Sequence, residues 1–303
     1  RSMGFTLDPV SDLTKEWKKH AREVRRIHEK LFYRPLLQAV AKLDSNDSKL
    51  STEDAQNRLK ALGYVDPDSA LRHLESLTSG VTRRAVIQRT LLPVMLEWFA
   101  ATPDPDAGLF GFRRVSESLG TTPWYLRLLR DESATAQRLA IILGSSRYAT
   151  DLLLKSPDAV SFLATEESLL PKSEADLLDE AKATVERYDN AAEAVLALRA
   201  MRRRELFKIS ASDVLGLTDI ETVGNQLAAV ATATIAGTLS AIISQTPNAP
   251  KFSIIAMGRY GGGELSYGSD ADVMFVYGDV DDSANPNATE QAAQAAHAIA
   301  NEL

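Results

Sequence analysis

Residues 252–277 read Phe252-Ser-Ile-Ile-Ala-Met-Gly-Arg-Tyr-Gly-Gly-Gly-Glu-Leu-Ser-Tyr-Gly-Ser-Asp-Ala-Asp-Val-Met-Phe-Val-Tyr277. Two apolar runs, Phe252–Met257 and Val273–Tyr277, each have the length and composition of a β-strand, and the first suits a buried strand. The segment between them is rich in glycine, which lets the backbone turn sharply and approach a ligand closely. The glycines are Gly258, Gly261, Gly262 and Gly263. This pattern predicts two neighbouring strands joined by a glycine-rich turn.

Two carboxylates, Asp270 and Asp272, stand one residue apart directly before the second apolar run. Side chains at positions i and i+2 of a strand project the same way, so the pair is expected to point together from the edge of the sheet. Such a pair can hold one or two Mg²⁺ ions against a nucleoside triphosphate, because Mg²⁺ prefers a few carboxylate oxygens plus phosphates. The plainer alternative is a solvated acidic strand edge.

The glycine spacing excludes two common phosphate-binding loops. The chain has no Gly-x-x-x-x-Gly-Lys-Ser/Thr segment, and these glycines do not follow the Gly-x-Gly-x-x-Gly dinucleotide fingerprint. The joint order of strand, double glycine, Asp-x-Asp and second strand indicates a different kind of nucleotide site, which binds through a metal ion.

Composition favours a protein with a substantial core and no general affinity for polyanions. The chain has 303 residues, 45% of them hydrophobic and 25% charged. A net charge of -7 argues against attraction to nucleic acid or an anionic membrane. No apolar run approaches the roughly 18 residues that span a bilayer, and no signal peptide is visible. The absence of cysteine excludes disulfides and fits a cytoplasmic protein.

Nearly everything before residue 246 has helical periodicity. Asp66-Pro67 and Thr122-Pro123 predict helix starts, because proline is favoured in the first turn. The segment Leu177–Leu206 is long enough for one extended helix. The apolar residues between Leu227 and Ile242 share one face of a further helix.

Polar and proline-containing stretches mark the predicted boundaries. We predict a helical domain over residues 1–110, a helical bundle over 111–245 and an α/β portion over 246–303. The last boundary is the clearest, because the hydrophobic period changes there from helical to strand-like. The chain begins with Arg1-Ser2 and stops at Leu303 inside an alanine-rich stretch. We therefore expect a fragment of a longer polypeptide.

The segment Met257–Phe275 closely resembles the glutamine synthetase adenylyltransferase family. The family signature is approximately Gly-Lys/Arg-x-Gly-Gly-x-Glu-Leu followed by Ser-Asp-x-Asp. The upstream sequence, which has helical periodicity, is also similar to the family, especially to its actinobacterial members, for example at Leu143–Tyr148 and Arg202–Leu206. The likeness extends from about Leu31 onward. It implies a mainly α fold whose helical bundles lead into the first strands of a polymerase-beta-like nucleotidyltransferase fold.

The resemblance implies one half of a bifunctional enzyme. In that family one half removes AMP from glutamine synthetase by phosphorolysis, and the other transfers AMP from ATP to a glutamine synthetase tyrosine. The upstream helical sequence resembles the middle of the family's full protein, which leads into the second catalytic half. The resemblance therefore assigns the motif to the adenylylating half. The resemblance also implies Mg²⁺ and ATP at the site, glutamine as an effector and the PII signalling protein as a partner.

Asp270 and Asp272 are the predicted catalytic metal ligands. Metal ions held there would neutralise the triphosphate during attack of a tyrosyl oxygen at the alpha phosphorus. Gly261 and Gly262 would let backbone N–H groups reach the phosphates. The alternative for these glycines is a plain tight turn.

Ser269 and Arg259 are the remaining candidates for nucleotide binding. Ser269 would either hydrogen-bond a phosphate or cap the turn, and Arg259 would either touch phosphate or form an exposed ion pair. The family's fold normally has a third carboxylate on a later strand, and no acidic residue after Tyr277 lies before or within a strand-like run. We therefore expect a chain that folds and binds nucleotide weakly but does not catalyse transfer. The acidic residues in question are Asp279, Asp281, Asp282, Glu290 and Glu302.

Two other functions stay open at this point. The chain can belong to another nucleotidyltransferase, because the catalytic pairs of these enzymes look alike and a fold does not name the acceptor. It can also serve as a helical interaction platform that transmits PII or glutamine binding, since most of its length is helical text upstream of the motif.

Overall fold

The computed structural model describes residues 8–28, 52–80, 83–119, 122–246, 249–278 and 288–302. These residues are mainly helical, with one two-stranded antiparallel sheet near the C-terminal end. The predicted combination of a mainly α chain with a small β portion is confirmed, whereas the nucleotidyltransferase fold stays a prediction. The chain divides into two compact units, Arg1–Ser145 and Ser146–Leu303. The three-part division at residues 110 and 245 also stays a prediction.

In the first unit, all described elements of regular secondary structure are helices. The Asp66 side chain caps a helix start by accepting a hydrogen bond from the Ser69 N–H at 2.9 Å, with Pro67 in the first turn, as predicted. Phe99 and Phe112 are fully buried and their rings lie 6.2 Å apart in the core. The helices are α1 (Pro9–His28), α2 (Thr52–Ala61), α3 (Pro67–Thr78), α4 (Arg83–Ala100), α5 (Pro105–Leu119), α6 (Pro123–Asp131) and α7 (Ser133–Ser145).

The second unit is built around three packed helices that precede the sheet. Its described helices are α8 (Arg147–Lys155), two 3-10 helices (Pro157–Ala164 and Glu167–Leu169), α9 (Glu174–Val185), α10 (Ala191–Val214), α11 (Ile220–Gln245), α12 (Gly258–Gly261) and α13 (Ala288–Glu302). The helices α9, α10 and α11 pack against one another. Phe207 of α10 is fully buried in this core.

The prediction of one extended helix over Leu177–Leu206 is wrong. Helix α9 ends at Val185 and α10 begins at Ala191. Asn190 causes the break, because its side-chain oxygen accepts a hydrogen bond from the Ala192 N–H at 2.8 Å and so caps the start of α10.

Helix α11 is long and apolar enough to cross a membrane by length and composition alone, the one such helix in the described part of the chain. Its most apolar window has a mean hydropathy of 1.8 and is 56% buried. The sequence has no uninterrupted apolar run here because threonine, serine and glycine are interspersed. A core helix of a folded protein has the same composition, and α11 packs on both α9 and α10.

The sheet consists of β1 (Phe252–Ala256) and β2 (Val273–Tyr277), paired from Phe252 opposite Tyr277 to Ala256 opposite Val273. Both predicted strands are confirmed, β1 being one residue shorter because Met257 is the N-cap of α12. The prediction that the first strand is buried is wrong, since Ile255 is 42% exposed, and β2 is similarly exposed, with Met274 at 46%. Among the described residues helix α13 packs on β2 but leaves part of the sheet exposed to solvent.

Candidate functional site

The glycine-rich segment between the strands is held in shape by one close backbone contact. It forms the single helical turn α12 and then a loop in which Gly263 has a φ of 71°, a conformation that favours glycine. A Cβ atom at Gly261 would lie 2.6 Å from the carbonyl oxygen of Ala256. Gly261 is therefore required where the turn passes back over the end of β1.

The predicted phosphate contacts of Gly261 and Gly262 stay a prediction. The Gly261 N–H donates to the Met257 carbonyl oxygen at 2.9 Å, and the Gly262 N–H donates to the Gly258 carbonyl oxygen at 3.1 Å. Both amides therefore make the hydrogen bonds of the α12 turn. Binding of a phosphate by these two amides requires that those bonds be shared or broken.

Helix α11 anchors the inner side of the glycine-rich loop. Tyr260 is buried, and its hydroxyl group shares a hydrogen bond with the Thr232 hydroxyl group at 3.0 Å. Burial raises the pKa of Tyr260, so its hydroxyl group stays protonated at neutral pH. At Gly224 of α11 an added Cβ would lie 3.3 Å from the Gly263 carbonyl oxygen. The loop thus packs directly on the helix backbone.

Helix α10 anchors the part of the loop that leads to the carboxylates. The Tyr267 hydroxyl group donates a hydrogen bond to Oδ2 of Asp213 at 2.9 Å. Its ring lies 5.1 Å from the ring of Tyr148 in α8. Burial and the hydrogen bond to the Asp213 carboxylate raise the pKa of Tyr267. The second anchor is therefore a neutral phenol bound to a carboxylate.

Ser269 closes the turn that contains Tyr267. The Ser269 Oγ atom accepts a hydrogen bond from the Ser266 N–H at 3.1 Å and lies 2.7 Å from the Ser266 Oγ atom. The Ser269 N–H donates in turn to the Ser266 carbonyl oxygen at 3.0 Å. This arrangement matches the turn-capping alternative for Ser269, and its contact with phosphate stays a prediction.

Arg259 is exposed and lies along the loop. Its Nε atom donates to the Glu264 carbonyl oxygen at 3.0 Å, while the Glu264 N–H donates to the Arg259 carbonyl oxygen at 2.8 Å. These reciprocal bonds close the loop around the glycines. The residue as a whole is exposed, and its contact with phosphate stays a prediction.

Asp270 and Asp272 are both exposed, immediately before β2. The Met257 N–H donates to the Asp272 carbonyl oxygen at 2.9 Å, which extends the strand pairing by one residue. The Asp272 Oδ2 atom lies 3.2 Å from the place that a Cβ atom at Gly258 would occupy, so the carboxylate rests against bare backbone. Both predicted ligands are therefore open to solvent, and the Asp272 carboxylate lies beside the glycine turn.

The donor set fits Mg²⁺ rather than a metal held entirely by protein. No group of three or more His, Cys, Asp or Glu side chains that would hold a metal occurs within the described ranges. Mg²⁺ is usually bound through one or two carboxylates, with waters and substrate phosphates as the other ligands. Of the later acidic residues, Asp279, Asp281 and Asp282 lie outside the described residues, and Glu290 is exposed on α13.

Two open cavities lie where the loop meets α11. One has a volume of about 420 Å³ and extends from Ile220 past Arg259 to Tyr267. The other has a volume of about 340 Å³ and is lined by residues that include Thr232 and Tyr260. Both volumes fall within the usual range for small-molecule sites.

The two tyrosine anchors were missed by the sequence reasoning. Tyr260 and Tyr267 flank the glycines and have polar tips that need a hydrogen-bond partner when the rings are buried. That requirement was the available signal. The partners Thr232 and Asp213 are distant in sequence, and nothing in the motif identifies them.

Comparison with known proteins identifies relatives of this segment. Residues 136–303 match the family model described as "Glutamate-ammonia ligase adenylyltransferase". A protein of Streptomyces coelicolor named bifunctional glutamine synthetase adenylyltransferase/adenylyl-removing enzyme is 52% identical, over 91% of this chain and 30% of its own length. A protein of the same name from Cutibacterium acnes is 46% identical, over 90% of this chain and 28% of its own length.

The chain spans about 30% of the length of these relatives. The matched region covers more than half of the chain and includes both the glycine-rich loop and the two carboxylates. The resemblance predicted from the motif is therefore confirmed, and the chain belongs to the glutamate-ammonia ligase adenylyltransferase family.

Proposed function

We propose that this chain contributes the nucleotide- and metal-binding segment of an enzyme that transfers AMP from ATP to a tyrosine of glutamine synthetase. The observation that carries the proposal is that Asp270 and Asp272 are both exposed directly before β2, with the Asp272 carboxylate against Gly258 of the glycine-rich turn. The names of the relatives support adenylyl transfer to glutamine synthetase. In this proposal the segment opens a nucleotidyltransferase domain of the polymerase-beta-like type.

Asp270 and Asp272 would hold Mg²⁺, which would supply charge neutralisation for the triphosphate when bound. Because Gly258 has no side chain, the Asp272 carboxylate can lie against the backbone there. Arg259 would contribute positive charge to a phosphate through its terminal nitrogens, since its Nε atom is already bonded to the loop. Ser269 and the glycines Gly261 and Gly262 would shape the turn and line the approach of the phosphates.

We further propose that the chain alone does not complete the transfer. A third carboxylate would help to deprotonate the attacking tyrosine, and the described residues place no further acidic side chain in a cluster with Asp270 and Asp272. Adenylyl removal by phosphorolysis, regulation by glutamine and the PII protein, and a cytoplasmic location belong to this proposal for the longer protein. Another nucleotidyltransferase activity remains the alternative, which the acceptor assay below separates.

The experiment measures Mg²⁺-dependent binding of a fluorescent ATP analogue, TNP-ATP, to the 303-residue chain. Binding is expected to be weak and to require Mg²⁺, and Asp270→Asn and Asp272→Asn are expected to reduce the response to Mg²⁺ at least tenfold, because each removes a charged ligand. Asp158→Asn changes an exposed carboxylate outside the loop and serves as the matched control. Equal Mg²⁺ dependence in all four proteins would contradict the proposal.

A second assay tests transfer. The chain is incubated with glutamine synthetase and radiolabelled ATP or another labelled nucleoside triphosphate. We expect no label on glutamine synthetase from the chain alone. Rapid labelling from ATP would overturn the claim of inactivity, and labelling from a different nucleotide would favour the alternative enzyme class.

A role as a helical interaction platform is the second candidate. Helix α1 in the first unit leaves Val10 76% exposed, Trp17 65% exposed and Val24 67% exposed. These residues recur at helical spacing, which is typical of a face that contacts a partner. Calorimetric binding of PII to the chain that is lost in Trp17→Ala would support this role. It is compatible with the first proposal.

A further inference from the structure

Tyr267 lies between the glycine-rich turn and the two carboxylates, inside the turn that Ser266 and Ser269 close. Its side chain reaches across to α10, where it donates a hydrogen bond to Asp213 at 2.9 Å. A hydroxyl group bonded to a carboxylate forms a charge-assisted hydrogen bond, which is stronger than a neutral one. This is a long-range anchor, made three residues before Asp270.

Asp213 belongs to a well-fixed part of the second unit. It lies in the last turn of α10, and its carbonyl oxygen accepts a hydrogen bond from the Gly216 N–H at 2.9 Å. The neighbouring Ser212 is fully buried and donates to the Leu169 carbonyl oxygen at 2.7 Å. A hydrogen bond from the loop to this end of α10 therefore fixes the loop relative to the core.

The carboxylates themselves have no such support. Within the described part of the chain, the side chains of Asp270 and Asp272 have no hydrogen-bond or ion-pair partner, so the backbone alone sets their position. On the β2 side, that backbone is held by the Met257 N–H bonded to the Asp272 carbonyl oxygen. On the other side, Tyr267 provides the side-chain anchor that precedes Asp270.

We propose that Tyr267 is a positioning residue that, through Asp213, fixes the segment carrying Asp270 and Asp272 for binding of the metal ion and nucleotide. The inference rests on the proposed function, since it concerns the same carboxylates. Residues that orient a metal ligand usually change metal affinity by about ten- to one-hundredfold when they are removed. A ligand pair held only by backbone depends strongly on such an anchor, because binding geometry tolerates errors of only about half an ångström.

The test compares the Mg²⁺ concentration that gives half-maximal TNP-ATP binding in the wild-type chain and in variants. Tyr267→Phe keeps the ring and removes the hydroxyl group, and it is expected to raise that concentration about tenfold. Asp213→Ala is expected to do the same, and the double variant no more, because both remove one interaction. Asp213→Asn keeps an acceptor oxygen and is expected to restore most of the binding.

Two further tyrosine variants are the matched controls. Tyr148→Phe keeps the ring contact with Tyr267, and Tyr188→Phe changes an exposed tyrosine outside the loop. Both are expected to bind with the wild-type dependence on Mg²⁺. Amide hydrogen exchange without metal gives an independent readout, with faster exchange expected from Ser269 to Asp272 in Tyr267→Phe.

The possible outcomes separate this inference from the proposed function. If the wild-type chain shows no Mg²⁺-dependent binding, both fail. If the wild type binds and Tyr267→Phe has a lower Tm but the same half-maximal Mg²⁺ concentration, Tyr267 is merely structural and the inference alone fails. If Tyr267→Phe does not fold, the comparison of Asp213→Ala with Asp213→Asn decides the question on the same measurement.

Discussion

Helix α11 and the β1–β2 pair are both strongly apolar, yet one is covered and the other is not. Along α11 the side chains that face α9 and α10 are almost fully buried, for example Val230 at 1% exposure. In the sheet, Phe275 is 39% exposed and Val276 is 42% exposed. Apolar character therefore predicts that a segment forms a helix or strand, but it does not predict whether another element covers that helix or strand.

The difference follows from what each element packs against. Helix α11 has two helical neighbours, and each removes apolar surface from water, which stabilises the unit by roughly 25 cal/mol per Å². The two-stranded sheet is supported by α13 and by the loop anchored on α10 and α11. A two-stranded sheet is marginal by itself, so the site depends on the helices to which it is attached.

The largest expected effect tests this contrast with the same substitution in both regions. Phe207→Ala empties a fully buried position in the helical core and is expected to lower the free energy of unfolding by about 3–5 kcal/mol. Phe275→Ala removes a strand side chain that is 39% exposed and is expected to lower it by only about 1–2 kcal/mol. Urea denaturation measures both. Similar losses would show that the sheet is as well covered as the core.

The next effect tests the close backbone contact in the turn. Gly261→Ala places a methyl group against the Ala256 carbonyl oxygen, which cannot move away like a flexible side chain, and is expected to destabilise the protein by about 1–3 kcal/mol. Gly268→Ala is the matched control, since nothing lies within 4 Å of its added Cβ. Urea denaturation is again the measurement. Equal stability of the two variants would mean that the turn relaxes freely.

The smallest effect concerns an ionic cluster that fixes α9 to α10. Glu180 bonds Lys172 at 2.5 Å and Arg204. Burial opposes its charge, but the hydrogen bond from Lys172 and the charge of Arg204 outweigh this and lower the pKa of Glu180. Glu180→Gln is expected to lower the free energy of unfolding at pH 7 by about 1 kcal/mol, a modest value because the cluster is partly exposed.

This contribution has a defined pH dependence. Because the pKa of Glu180 is lowered by folding, its stabilising effect is fully present above the unfolded value of 4.5 and is lost as the pH falls through the lower folded value. The wild type and Glu180→Gln are therefore expected to converge in stability as the pH falls from 4.5 through this lower folded pKa. Glu186→Gln, an exposed change at the end of α9, is expected to show no comparable loss. A constant difference at all pH values would contradict the assignment.

The sequence predicted local structure well where the signal was local. The position of β2 and the helix starts at Pro67 and Pro123 agree with patterns of a few residues. The break at Asn190 was missed because helical periodicity continues on both sides of it.

Features that depend on residues distant in sequence could not be predicted from the motif. The anchors Tyr260 and Tyr267 reach partners 28 and 54 positions away. Exposure of the strands was also missed, because an apolar run of five residues is the same in a covered sheet and in an uncovered one. The hydrogen bonds of the Gly261 amide depend on the local helical turn α12, which glycine content alone does not indicate.

The order of the elements around α11 has a consequence for biosynthesis. Helices α9 and α10, which cover it, precede it in the chain and leave the ribosome first. The most apolar α-helix in the described part of the chain therefore emerges after the two helices that cover it. A circular permutation that places α11 ahead of α9 would expose this apolar 26-residue segment before the helices that cover it are synthesised. Aggregation is the expected result.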